Sequence, residues 1–79
     1  MKVIYRGVSF YDGIDGLTNG KEYECIAVEG EFLRIIDDSG EDYLYSATSP
    51  GALDESEKRG RWEIVEDTET GELKKVIAA

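Results

Sequence analysis

The sequence predicts a small, strongly bent all-β barrel of five to six short antiparallel strands with two long loops. Three observations carry this. The apolar residues fall in runs of four to eight with period-two alternation. Turn-forming Gly, Asn, Asp and Ser separate those runs. The chain has 79 residues, enough for one domain over residues 1–79 and no second core.

Met1 to Arg6 reads as the first strand, with Val3 and Tyr5 on one face and Lys2, Ile4 and Arg6 on the other. Val8 to Gly20 follows as the first long loop, with Gly13 and Gly16 beside Asp12 and Asp15. Phe10, Ile14 and Leu17 are expected to pin that loop to the core. Thr18-Asn19-Gly20 turns the chain into the second strand, Lys21 to Val28. There Tyr23, Cys25 and Ala27 share one face and Glu22 and Glu24 share the other with Ile26 and Val28, so the alternation changes sense near the strand end. A bulge or sharp bend accounts for such a change, and small barrels turn corners this way.

Glu29-Gly30 is a hairpin signal. The third strand, Glu31 to Asp37, carries apolar residues on both faces: Leu33 and Ile35 on one, Phe32 and Ile36 beside Arg34 on the other. That pattern predicts a central strand covered on both sides. Asp37-Asp38-Ser39-Gly40 is the strongest turn in the chain, with Gly40 suited to a left-handed position. Glu41 to Tyr45 returns as the fourth strand, with Tyr43 and Tyr45 opposite Leu44. Ser46 to Gly60 is the second long loop, in which Ser49 and Pro50 could open a short helical turn. Arg61 to Glu66 is the fifth strand, with Trp62 and Ile64 on one side. Thr68 to Gly71 reads as a further hairpin and Glu72 to Ile77 as a sixth, edge strand. Barrel closure is expected to hide the remaining edges.

The residues Leu17-Thr18, Gly20-Lys21, Tyr23, Asp37-Asp38, Gly40, Tyr43 or Tyr45, and Trp62-Glu63 follow a spaced pattern. It resembles small, mostly uncharacterised SH3-like barrel proteins of bacteria and their phages. The resemblance spans the middle half of the chain and the fifth strand. It implies an SH3-like barrel and carries no activity with it. The long Ser46 to Gly60 loop and the segment after Trp62 depart from the simplest form of the pattern. The motif residues also have a purely physical reading as turn and packing residues.

Charge narrows the partners. Asp and Glu number 18 against 9 Lys and Arg, a formal net charge of −9. That field repels a phosphate backbone or an anionic membrane, so neither is expected as a partner. The N-terminus lacks a signal-peptide run and no segment has transmembrane length, so the expected location is cytoplasmic. The single cysteine, Cys25, fits a reducing compartment.

Catalytic chemistry finds little support. The chain has no histidine, so Cys25, mid-strand beside Tyr23, lacks the usual base and reads as a buried thiol. Asp12 with Asp15, and Asp37 and Asp38 with Glu41 and Asp42, cluster oxygen ligands but miss the calcium-loop spacing. No catalytic residue, metal site or cofactor is assigned. The expected function is a non-enzymatic module that binds a protein or peptide, as a monomer or weak homo-oligomer. Tyr11, Tyr43 and Tyr45 are the candidate contacts, because tyrosine is enriched at interfaces. The alternative is an acidic decoy or inhibitor that docks on a basic, nucleic-acid-binding partner. Any distinctive contact surface is expected on the loops Val8 to Leu17 and Ser46 to Gly60.

Overall fold

A computed structural model describes residues 1–7, 16–48, 50 and 60–77. Within them lie β1 (Lys2–Arg6), β2 (Glu22–Glu29), β3 (Phe32–Ile36), β4 (Asp42–Ser46), β5 (Arg61–Glu66) and one helix, α1 (Glu72–Ile77). The strands form a single antiparallel sheet in the order β4-β3-β2-β1-β5. The five strands and the all-β character are those the alternation predicts.

The bend expected in β2 is present as a bulge. Cys25 pairs with Ile35 and Ala27 with Arg34, which leaves Ile26 as the extra residue. The insertion flips the pleat, so Val28 returns to the inner side opposite Leu33. The inner faces bury Val3, Tyr5, Tyr23, Cys25, Leu33, Ile35 and Trp62, with Leu17 and Ala47 from the connections. Leu17 is fully buried, so this end of the first loop is pinned as expected. Phe10, Ile14 and the possible helical turn near Ser49 lie outside the described residues. Gly40 takes a φ of 83° in the Asp37 to Gly40 turn, the left-handed conformation that a side chain opposes.

Trp62 is the hub of the core. The rings of Tyr5, Tyr23 and Tyr45 meet it edge-on, at centroid separations of 5.7, 6.4 and 6.4 Å. At the end of the sheet, the backbones of β1 and β5 nearly touch. A Cβ on Gly60 would lie 2.2 Å from the Arg6 carbonyl oxygen, so only glycine fits there.

Two expectations are corrected. First, the sheet is not closed, because β4 and β5 stand at opposite ends of the strand order. A side chain spans the ends instead: Trp62 Nε1 donates to the Ser46 carbonyl at 2.9 Å. Second, Glu72–Ile77 is a helix and not a sixth strand. Asp67 organises it. Its Oδ1 accepts from the N–H groups of Thr68 and Leu73 (2.7 and 2.9 Å), and its Oδ2 accepts from that of Lys74 (3.1 Å). Thr68 Oγ1 accepts from Glu72 N at 3.1 Å. These bonds satisfy donors that a helix start leaves open. Leu73, Val76 and Ile77, at helical spacing, then face the core, with Leu73 fully buried. The helix packs against β2 and β5.

Candidate functional site

Two constellations combine chemistry with a defined place in the fold. The first is built by the Asp37–Asp38 turn. Asp38 lies almost wholly buried, with 1% of its side chain exposed. Three donors converge on its carboxylate: Lys21 Nζ at 2.6 Å, Thr18 Oγ1 at 2.8 Å and Tyr23 Oη at 2.9 Å. Burial pushes the Asp38 carboxyl up, but the hydrogen bonds from Lys21, Thr18 and Tyr23 outweigh it and hold it below the usual carboxylate range. The Tyr23 hydroxyl also accepts from Thr18 N at 2.6 Å. Burial first, aided by the Asp38 carboxylate, raises that phenol to about 12.

Asp37 holds a parallel set. Its Oδ2 accepts from Tyr45 Oη at 2.5 Å, and its Oδ1 from Ser39 N and Ser39 Oγ. The Tyr45 phenol is raised strongly, by burial and then by Asp37. Thr18, Lys21, Tyr23, Asp37, Asp38 and Tyr45 are therefore one hydrogen-bonded clasp between the entry to β2, the β3–β4 turn and β4. No buried polar side-chain atom among the described residues lacks a partner. The carboxylates face hydroxyl and ammonium donors, which leaves the clasp a structural role. Among the described residues no group of three or more Asp, Glu, Cys or His stands arranged to hold a metal ion.

The second constellation is the outer face of β2–β3–β4. Register places its side chains in three ranks. Glu24, Ile36 and Asp42 form one; Ala27 with the bulged Ile26, then Arg34 and Leu44, form the next; Glu29, Phe32 and Ser46 form the last. Ile26, Phe32, Ile36 and Leu44 are all exposed, Phe32 at 47% and Leu44 at 45%. They surround Arg34. Its guanidinium is held by Glu29 through Nε at 2.5 Å and by Asp42 through Nη1 at 2.9 Å. The Glu29 bond is the main cause, with Asp42 second, of a guanidinium held even more firmly protonated than usual. Arg34 also lowers the Glu29 carboxyl. The face thus offers an apolar ring on a fixed charged pin, with Glu24, Glu29 and Asp42 at its margin.

The predicted contacts divide. Tyr43 is half exposed, and its hydroxyl donates to Glu41 Oε2 at 3.1 Å. Tyr45 is half-buried, with its ring on Trp62 and its hydroxyl on Asp37, so both its apolar and polar parts serve the fold. Tyr11 lies outside the described residues, as do most of the two loops expected to carry the contact surface. Cys25 is buried beside the Ala27 carbonyl, with its thiol raised by burial. A covering is expected over both faces of β3, but on the outer one Phe32 and Ile36 are exposed and no described element packs over them. Sequence reasoning therefore missed Phe32, Ile36, Leu44 and Ile26. The signal was their shared outward parity around Arg34.

A shallow depression lined by Arg6, Gly7, Gly60 and Arg61 is a weaker candidate. Arg6 is bound to Glu63, Gly7 N to Asn19 and Gly60 N to the Pro50 carbonyl, so its donors are largely committed. Among the described residues no helix is long and apolar enough to cross a membrane.

Comparison with protein-family models, curated proteins and solved structures finds no match to this chain.

Proposed function

We propose that the chain is a non-enzymatic, SH3-like interaction module that binds a basic, partly apolar segment of a protein partner on the outer face of β2–β3–β4. The single antiparallel sheet, the bulge in β2 and the Trp62 bridge across the sheet ends support the SH3-like reading. The observation that carries the function is the ring of Ile26, Phe32, Ile36 and Leu44 around Arg34. Exposed apolar side chains gathered on one face mark contact surfaces more than scattered ones do. Glu24, Glu29 and Asp42 outnumber the one cation among them, Arg34, so the face stays net negative and favours a cationic ligand, reinforced by the net charge of −9.

The decoy reading shares the basic partner but rests on charge alone. It needs no apolar contact, so replacing Phe32 would leave it intact.

Selection from a random peptide library tests the proposal. The expected ligands combine Lys or Arg with aliphatic or aromatic residues, and they shift the amide resonances of β3 and β4. Enrichment of acidic peptides, or shifts confined to β1 and β5, would overturn it.

A further inference from the structure

The two edges of this sheet are built differently, and the difference indicates how a partner is held. At β5 the pairing with β1 shifts register between Lys2 and Val3, and Arg61, Glu63 and Glu66 stud the strand. Bulges and charges of this kind blunt an edge against added strands. The opposite edge, β4, lacks the bulge and carries a single charge, Asp42. Its sequence Asp-Tyr-Leu-Tyr-Ser contains no Lys and no Pro, and its register with β3 runs without a break from Asp42 to Ser46.

Hydrogen-bond phase fixes which β4 groups point outward. Ala47 N donates to the Glu31 carbonyl and Asp37 N to the Glu41 carbonyl. In an antiparallel pair, bonded and non-bonded positions alternate. Counting in twos between those bonds makes Tyr43 and Tyr45 the residues that bond β3. The backbone groups of Asp42, Leu44 and Ser46 therefore point away from β3. The Ser46 carbonyl provides an independent check, because it accepts the Trp62 indole N–H from the far end of the sheet. Beyond that bridge no described strand pairs with β4. The N–H and C=O of Leu44 and Asp42 face that unpaired side, on a strand whose Tyr43 and Leu44 are exposed.

We infer that the partner's segment is held as an added strand on the β4 edge, hydrogen-bonded to the backbone of Asp42 and Leu44. This rests on the proposed basic partner and says how it binds. Register dictates its chemistry. A residue opposite Asp42 is Lys or Arg, and its same-face neighbour two positions away is aliphatic, against Leu44 and the Phe32–Ile36 ring. The intervening residue meets Tyr43. Charge complementarity selects this occupant. A second copy of the chain would set Glu41 and Asp42 near a like edge on a body that also carries −9.

The test uses a short, capped peptide containing Lys-Thr-Val, which sets lysine and valine two positions apart on one face, and the same peptide N-methylated along its backbone. Methylation removes the amide donors and keeps every charge. The expected result is slowed hydrogen exchange at the Leu44 and Asp42 amides with the first peptide, and binding about tenfold weaker with the second. Equal binding of the two peptides would overturn edge pairing while leaving the outer face intact as a contact surface. So would no binding of either peptide. A Leu44 amide already protected without peptide, together with a dimer mass in solution, would also overturn it and assign the edge to a second copy. Failure of the contact surface itself has a different signature: library-selected ligands that shift neither β3 nor β4.

Discussion

The Trp62 indole N–H donates to the Ser46 carbonyl at 2.9 Å, joining β5 to β4, two strands that do not pair with each other. One side chain thereby ties the last strand of the sheet to the fourth, and three tyrosine rings hold that side chain in place.

Replacing Trp62 with Phe keeps an aromatic ring but removes the donor and part of the volume. The expected loss is about 2–3 kcal/mol, from an unmet carbonyl and a small void. In a domain of this size that lowers the melting temperature by roughly 10 °C or more. Thermal melting followed by circular dichroism checks it.

Asp38 predicts an acid limit. Its folded carboxyl titrates below its unfolded value. The folded state therefore binds fewer protons, and the stabilisation is present above about pH 4 and is lost as pH falls through the lower, folded value. Asp67, lowered because the N–H bonds of Leu73, Lys74 and Thr68 outweigh its desolvation, acts in the same direction. Asp38→Asn is expected to destabilise by about 1–3 kcal/mol at neutral pH and to flatten this acid limb. Denaturant melts between pH 2 and pH 7 measure both.

Tyr23 sets the alkaline limit with the opposite sign. Its phenol is raised to about 12 in the fold against an ordinary value near 10. The folded state holds the proton longer, so stability is complete below about pH 10 and declines between pH 10 and 12, by about 2–3 kcal/mol. Tyrosine absorbance during alkaline titration, compared with Tyr23→Phe, separates this residue from the other phenols.

The helix depends on a carboxylate that precedes it. Asp67→Ala is expected to destabilise the fold modestly and to free α1 first. Amide exchange at Leu73 and Lys74 should then accelerate while that of β2 and β3 changes least. Leu73→Ala, which empties a fully buried site, is expected to cost about 2–4 kcal/mol.

These relationships separate what the sequence reveals from what it hides. Alternation is local, so Val3, Tyr5, Leu33 and Ile35 announce both their strands and their inner faces. An irregularity near the end of β2 is visible too, because the polar and apolar parities exchange there, but its place at Ile26, which moves Ala27 to the outer face, is set by the pairing with β3. The helix is less visible for a physical reason. Over six residues, Leu73, Val76 and Ile77 fit a strand edge about as well as a helical stripe. What decides between them is Asp67, whose carboxylate reaches N–H groups six and seven positions ahead. The clasp around Asp38 is hidden differently. Thr18, Lys21 and Tyr23 sit in the recurrent pattern, yet their convergence on one carboxylate exists only after β2 and β3 pair. The outer face is the reverse case. Phe32 and Ile36 are plain in the sequence, but whether anything covers them is a tertiary fact, and here nothing described does.

The central claim is that the apolar ring around Arg34 contacts the partner. The most direct measurement is the affinity of a library-selected basic peptide for the chain carrying Phe32→Ser with Leu44→Ser, set beside Val65→Ser. All three positions are exposed, so the melting temperatures are expected to stay close to that of the unaltered chain. The double substitution is expected to weaken binding by about a hundredfold, roughly 2–3 kcal/mol, and Val65→Ser to leave it unchanged. Equal affinity for all three chains would contradict it.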